Sequence, residues 1–314
     1  MKPPILMAPR LPEPLVARLA EHYTLLGPME GATVDRLPPG AEAARALITL
    51  GSLGAGEALI GALPELGLIL CYGTGFEGVD RTAAAARGIA VTNAGEANAE
   101  AVAEFAMGLA LASTRKIAEG DRYVRTGRWR GHAIERMPLV AGLLGRRMGI
   151  YGLGAIGRRV ATRAAAFGME IGYHNRRPAE GVPHAWHDTL ESLARWCDVL
   201  MVSVRAAPEN RHAVGAPILA ALGTGGHVVN VSRGSVVDTA ALCDALEGGV
   251  IAGAALDVYE NEPEVPERLR AIGHAVLTPH MGAYAESAQA AQQALLLGNL
   301  AAFFAGRPLS SVVA

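Results

Sequence analysis

Met148-Gly149-Ile150-Tyr151-Gly152-Leu153-Gly154-Ala155-Ile156-Gly157-Arg158 carries an apolar strand into a glycine-spaced turn and on into a helix through Val160 and Ala161. The G-x-G-x-x-G spacing alone says little, but between a strand and a helix it meets the requirements of a dinucleotide pyrophosphate. Gly152 permits the tight turn, Gly154 lets the backbone approach the anion, and Gly157 lets the helix pack close to the strand. N–H groups at the helix start, which have no intrahelical acceptor, then face the negative charge.

The end of the next strand selects the dinucleotide, because an acid there accepts hydrogen bonds from a ribose 2′-hydroxyl and repels a 2′-phosphate. The chain reads Tyr173-His174-Asn175-Arg176-Arg177-Pro178, with no acid and two guanidinium groups suited to forked, charge-assisted bonds to phosphate. The expectation is a preference for NADP(H), with contacts from Asn175, Arg176 and Arg177. The alternative is that both arginines are solvated and either dinucleotide serves.

Outward from this turn, short apolar runs alternate with longer helical stretches, the pattern of a mostly parallel α/β protein. One set of strands is expected at Ile5 to Ala8, Ala46 to Leu50, Leu68 to Tyr72 and Ile89 to Asn93. A second comprises Met148 to Tyr151, Met169 to Tyr173, Val199 to Val202, His227 to Val231, Ile251 to Leu256 and Ala275 to Thr278. Between the sets a long helix starts at Asn98, with Asn98 as N-cap and acids in the first turn. An apolar helix, about Tyr284 to Phe304, follows the last strand. With 314 residues, 51% of them hydrophobic, two domains are expected without disulfide or metal staples.

The charge balance, 28 Lys+Arg against 30 Asp+Glu, speaks against nucleic-acid and anionic-membrane partners. Cys71, Cys197 and Cys243 stand far apart with no C-x-x-C, so neither a disulfide framework nor a cysteine zinc site is expected. No signal peptide or membrane-spanning run is read, and the expected compartment is the cytoplasm.

Four further segments, with the glycine turn, resemble the D-isomer-specific 2-hydroxyacid dehydrogenase family across nearly the whole chain. They are Gly73-Thr-Gly-Phe-Glu-Gly-Val-Asp80, Asn98-Ala-Glu-Ala-Val-Ala-Glu104, Asn230-Val-Ser-Arg-Gly234 with Val237-Asp238, and Asp257-Val-Tyr-Glu-Asn-Glu-Pro263 with Thr278-Pro-His-Met-Gly282. The resemblance implies two Rossmann-like doubly wound parallel-sheet domains. The dinucleotide-binding domain, 98–284, is inserted into a substrate domain of 1–97 and 285–314, and the active site lies between them.

Reduction of a 2-keto acid needs a cation for the carboxylate and carbonyl oxygen, a proton donor for the developing alkoxide, and a hydride carrier. Arg233 follows an apolar strand at its carboxyl end, where sheets of this type bind ligands, and its planar fork suits an α-keto acid. His280 sits in a turn after another strand and is the expected general acid, histidine being the side chain that ordinarily titrates near neutral pH. Glu262 is placed to hydrogen-bond it and favour the imidazolium. Glu260 is the rival acid, and the resemblance favours Glu262 because the family's acid immediately precedes Pro.

Thr74 and Gly75 are expected to offer N–H groups to the substrate carboxylate. The resemblance also places cofactor contacts at Ala155, Ile156, Val204, Arg205, Asn210, Val231, Ser232, Asp257 and Gly282 as well as at Arg233 and His280, with Val102 near the nicotinamide. Candidate pocket residues are Leu53, Phe76, Met281 and Tyr284, with Trp129 or His132 reaching from a second subunit. Two positions depart from the family pattern: Arg205 stands where many relatives have Pro, and Glu77 where they have Asp.

The resemblance thus implies an NADPH-preferring reductase of small 2-keto acids to D-2-hydroxy acids, glyoxylate or hydroxypyruvate first, hydroxyphenylpyruvate or 2-ketogluconate as alternatives. A homodimer joined through the Asn98 helix is expected. A dinucleotide-sensing binding protein of the C-terminal-binding-protein corepressor type is the rival from another class, disfavoured by the lack of low-complexity tails. Phosphoglycerate, formate and phosphite dehydrogenases are set aside as an expectation, since no regulatory domain or N-terminal extension is read.

Overall fold

The computed structural model describes residues 2–130 and 137–313. The chain divides into two units, Met1–Asn98 with Ala285–Ala314, and Ala99–Tyr284. In the first, β1 (Pro4–Met7), α1 (Glu13–His22), β2 (Thr24–Leu26), β3 (Ala46–Thr49), α2 (Glu57–Gly61), β4 (Leu68–Cys71), α3 (Arg81–Ala86) and β5 (Ala90–Thr92) follow one another. Their strands form a parallel sheet in the order β2-β1-β3-β4-β5. Every residue of β3 and β4 is buried, as a sheet covered on both faces requires. Leu6, Leu47 and Ile69 point into one apolar layer; Ile5, Ile48 and Leu70 point into the other, where Leu296 and Leu300 of the C-terminal helix Glu286–Phe304 pack.

The second unit runs α4 (Ala99–Thr114), α5 (Ile117–Arg125), β6 (Arg147–Tyr151), α6 (Ala155–Ala166), β7 (Glu170–His174), β8 (Ala185–Trp186), α7 (Leu190–Trp196), β9 (Val199–Val202), α8 (Ala216–Leu222), β10 (His227–Asn230), α9 (Thr239–Glu247), β11 (Gly253–Leu256), α10 (Glu267–Ala271) and β12 (Ala275–Leu277). Its seven parallel strands lie in the order β12-β11-β10-β9-β6-β7-β8. The order reverses at β6, so that Ile150 pairs with Tyr173 on one side and Met201 on the other. Such a switch point opens a crevice at the carboxyl ends of the strands.

Two strands escape the sequence reading. β2 is three partly exposed residues and β8 is an exposed pair at the sheet edge, so neither has the apolar run by which the inner strands are recognised. The helix expected from Asn98 begins at Ala99. It packs on α6 and on β10 and β11, burying Val102, Ala103, Ala106, Met107, Leu109 and Ala110. Glu100 meets Arg159 at 2.6 Å and Arg163 at 2.7 Å on its outer side. Most of the apolar surface of α4 is therefore used within its own unit. Beyond it, Ile117, Val124, Trp129, Leu139 and Leu144 are exposed. Among the described residues no helix is long and apolar enough to cross a membrane.

Candidate active site

The glycine turn sits at the switch point. Gly152 has φ +101°, and a Cβ there would stand 2.4 Å from Val204 Cα, so the chain leaving β9 lies directly against the turn. A Cβ at Gly157 would stand 2.3 Å from Gly152 O, which is the close helix–strand approach expected of the third glycine. At Gly154 a Cβ would meet nothing within 4 Å; its side faces open space. The turn is pinned by Ser203 Oγ, which donates to Gly152 O at 3.0 Å, and by Leu153 N–H, which donates to Asn175 Oδ1 at 2.7 Å. The first bond of α6 runs from Arg158 N–H to Gly154 O, so the N–H groups of Ala155 and Ile156 lie ahead of the intrahelical ladder.

Arg176 and Arg177 follow Asn175 and are exposed, with no hydrogen bond or ion pair among the described residues. An open glycine side, a helix start and two uncommitted guanidinium groups together fit a dinucleotide carrying a 2′-phosphate. The neighbouring loop is self-braced. Asn210 accepts from Ala207 N–H and donates to Arg205 O, both at 2.8 Å, so its amide shapes the loop that holds Val204 and Arg205.

Arg233 enters from the end of β10 on a turn organised by Asn230, which is fully buried. Asn230 Oδ1 accepts from Ser232 N–H and Oγ–H, and its Nδ2 donates to Arg233 O, all at 3.0 Å. His280 comes from the loop after β12. Asp257, 2% exposed, fixes that loop: it accepts from Thr278 Oγ1 at 2.6 Å, Met281 N–H at 2.9 Å and Gly282 N–H at 2.8 Å. The resemblance implies a cofactor contact for Asp257; here its carboxylate is the anchor of the His280 loop. Val102 of α4 borders the same loop, 3.7 Å from where a Gly282 Cβ would be.

His280 Nδ1 lies 2.6 Å from Glu262 Oε2, while Glu262 Oε1 accepts from Tyr259 N–H at 2.9 Å. Burial raises the Glu262 carboxyl, but the His280 bond, the Tyr259 N–H and the charges of His280 and Arg233 outweigh it and hold it below the ordinary glutamate range. An ionised carboxylate at Nδ1 keeps a proton there and leaves Nε2 without a partner among the described residues. Glu260 turns elsewhere, to His212.

In the first unit, Gly73 at φ +116° turns the chain out of β4. Thr74 O accepts from Asn93 Nδ2 at 2.7 Å, and the N–H groups of Thr74 and Gly75 find no acceptor among the described residues. A Cβ at Gly51 would stand 2.4 Å from Gly75 C, which sets the Leu53 loop against this turn. Leu53, Met281, Tyr284 and Trp129 are exposed, and Phe76 is half-buried beneath the Arg81 guanidinium, 5.4 Å from its ring centre. His132 lies outside the described residues.

Sequence reasoning missed Asn230, His212 and the anchoring role of Asp257. Asn230 and Asp257 stand at strand ends inside quoted motifs, which mark the positions but not the bonds they make, and His212 lies in a loop where several polar residues compete.

The family model for the D-isomer specific 2-hydroxyacid dehydrogenase NAD binding domain matches residues 107–282. A glyoxylate/hydroxypyruvate reductase of Arabidopsis thaliana is 38% identical over 276 residues, 88% of this chain and 85% of the relative. A hydroxyphenylpyruvate reductase of Plectranthus scutellarioides is 38% identical over 279 residues, 89% of this chain and 88% of the relative. The crystal structure of an NADPH-dependent glyoxylate/hydroxypyruvate reductase from Sinorhizobium meliloti, in complex with NADP and malonate, has a TM-score of 0.93 at 37% identity, covering 100% of this chain and 97% of that one. The chain belongs to the D-isomer specific 2-hydroxyacid dehydrogenase family and is an NAD(P)-dependent oxidoreductase.

Proposed function

We propose that this enzyme reduces glyoxylate to glycolate and hydroxypyruvate to its D-2-hydroxy acid with NADPH, and that Arg233, Glu262 and His280 carry the chemistry. The observation behind the reading is the 2.6 Å bond between Glu262 and His280 Nδ1, which leaves Nε2 as the one ring position able to give a proton. Arg233 draws the keto acid's carboxylate and carbonyl oxygen and offsets the negative charge that develops there. His280 Nε2 delivers a proton to that oxygen as it becomes a hydroxyl, and Glu262 offsets the imidazolium charge beforehand. NADPH, when bound, supplies the hydride. Ala155 and Ile156 N–H groups hold its pyrophosphate, and Arg176 and Arg177 its 2′-phosphate. Thr74 and Gly75 N–H groups receive the substrate carboxylate.

The choice of substrate is supported by the names of the Arabidopsis and Sinorhizobium relatives. The test is NADPH and NADH oxidation with glyoxylate, hydroxypyruvate, hydroxyphenylpyruvate and 2-ketogluconate. Turnover of either of the first two, faster with NADPH, is expected; fastest turnover of either of the last two would move the substrate, and binding without turnover would favour the sensor. His280→Asn is expected to lower kcat by about 10³-fold with little change in NADPH affinity.

The working form is proposed to be a cytoplasmic homodimer. Three buried free cysteines suit a reducing compartment. The helix from Asn98 remains the proposed interface, and the exposed apolar side chains of Ile117, Val124, Trp129, Leu139 and Leu144, which follow it in the chain, would add to it. A monomer mass by light scattering would refute this.

A further inference from the structure

A second acid–imidazole pair stands beside the first. Glu260 Oε2 lies 2.7 Å from His212 Nε2 and 3.3 Å from the Arg211 guanidinium, while Oε1 accepts from Thr239 N–H at 3.2 Å. His212 Nδ1 is 3.8 Å from Asp238 Oδ2. Burial works against the charge on Glu260, yet the bonds from His212 and Thr239 hold its carboxyl below the ordinary range.

The pair ties together three loops. His212 N–H donates to Ser235 O at 2.8 Å, Val214 N–H to Val236 O at 3.0 Å, and Asp238 N–H to Val214 O at 3.1 Å, so the His212 segment runs alongside the one that follows Arg233. Gly234 brings in the third loop, since a Cβ there would stand 1.9 Å from Tyr259 C. Tyr259 is the residue whose N–H holds Glu262 Oε1. His212 itself has φ +54°, a backbone region uncommon for a residue with a side chain and kept only where the surroundings over-determine it.

We propose that Glu260 and His212 form a positioning pair for the reduction. Holding Glu260 fixes the Tyr259 peptide, and with it the Glu262 carboxylate against His280 on one side and the Gly234 turn behind Arg233 on the other. Neither member touches substrate. The proposal rests on the reading of Glu262 and His280 as the catalytic pair.

The test is steady-state kinetics with hydroxypyruvate and NADPH on His212→Ala, His212→Gln and Glu260→Gln, with His280→Asn in parallel. His212→Ala is expected to lose about tenfold in kcat, with KM for NADPH held within about twofold and KM for hydroxypyruvate raised by less than kcat falls, because the pair bears on the Glu262–His280 proton donor as well as on the turn behind Arg233. His212→Gln, whose amide can donate to Glu260, is expected to recover most of the loss. Where His212→Ala does not fold, Glu260→Gln decides, with a kcat loss of about fivefold expected. A lowered Tm with kcat unchanged in these variants, or a loss confined to KM, would overturn the proposal. If His280→Asn is inactive in that case, the catalytic reading survives alone; if His280→Asn keeps full turnover, both fall.

Discussion

Two turns, one in each unit, solve the same problem differently. After β6 the chain bends at Gly152 with φ +101°, and after β4 it bends at Gly73 with φ +116°. Each is braced by an asparagine, but with opposite polarity. Asn175 accepts a turn N–H, whereas Asn93 donates to a turn carbonyl and leaves the N–H groups of Thr74 and Gly75 uncommitted. The first turn runs at once into the twelve-residue α6; the second reaches α3 only at Arg81. A helix start adds its dipole to the N–H groups and suits a pyrophosphate, while an isolated nest of N–H groups suits one small carboxylate.

The largest difference expected between the turns is steric. Gly152→Ala places a Cβ against Val204 backbone in a left-handed conformation, and a cost of about 3 kcal/mol with loss of NADPH binding is expected by denaturant unfolding and fluorescence titration. Gly73→Ala meets nothing within 4 Å and should cost about 1 kcal/mol, from the backbone alone. Equal costs would show that the two turns are not under different packing constraints.

The sheets behind the turns should part in their response to acid. His227 in β10 is buried against Ser113 Oγ at 2.8 Å; burial, then the charges of Arg146 and Lys116, push it down to about 4 against a weaker pull from Asp198. The only histidine of the first unit is His22, on the surface. Unfolded chains take up the proton near pH 6.5 and the folded second unit only near 4, so stability is full above 6.5 and falls as pH drops between them, by about 3 kcal/mol for this group. The measurement is urea unfolding from pH 7 to 4, with His227→Asn removing that part of the slope; an unchanged slope would contradict it.

Arg176→Ala with Arg177→Ala should raise KM for NADPH about twentyfold and KM for NADH less than about twofold, since only the former has a phosphate to lose. Smallest is the exchange of braces. Asn93→Leu should raise KM for the keto acid about fivefold and leave NADPH binding alone, and Asn175→Leu should do the reverse. Changes in both constants from either variant would mean that the turns do not divide the two ligands.

The inner strands and the glycine turn were legible in the sequence because each obeys a local rule, and Arg233, Glu262 and His280 stood out as candidates by the same rule. Fully apolar runs mark buried strands, and a side chain placed for ligand chemistry after a strand end is marked by the strand. β8 has no such run, being two exposed residues held by pairing with Gly172 and Tyr173. The partition of Glu260 and Glu262 between His212 and His280 is set by contacts 48 and 18 residues away, beyond any periodicity. Asn230 and Asp257 were visible as motif letters, but their work of shaping loops is a matter of which N–H groups come within 3 Å.

Gly234 has a consequence for anyone recombining this enzyme with its relatives. Because no atom larger than hydrogen fits between its Cα and the Tyr259 carbonyl, the segments on either side must come from the same parent or from parents with the same backbone path. Crossovers placed between 234 and 259 would separate them and are expected to yield mostly inactive chimeras. The same holds for Gly152 against Val204, so junctions outside 152–204 and 212–259 are the ones expected to leave both close contacts within one parent.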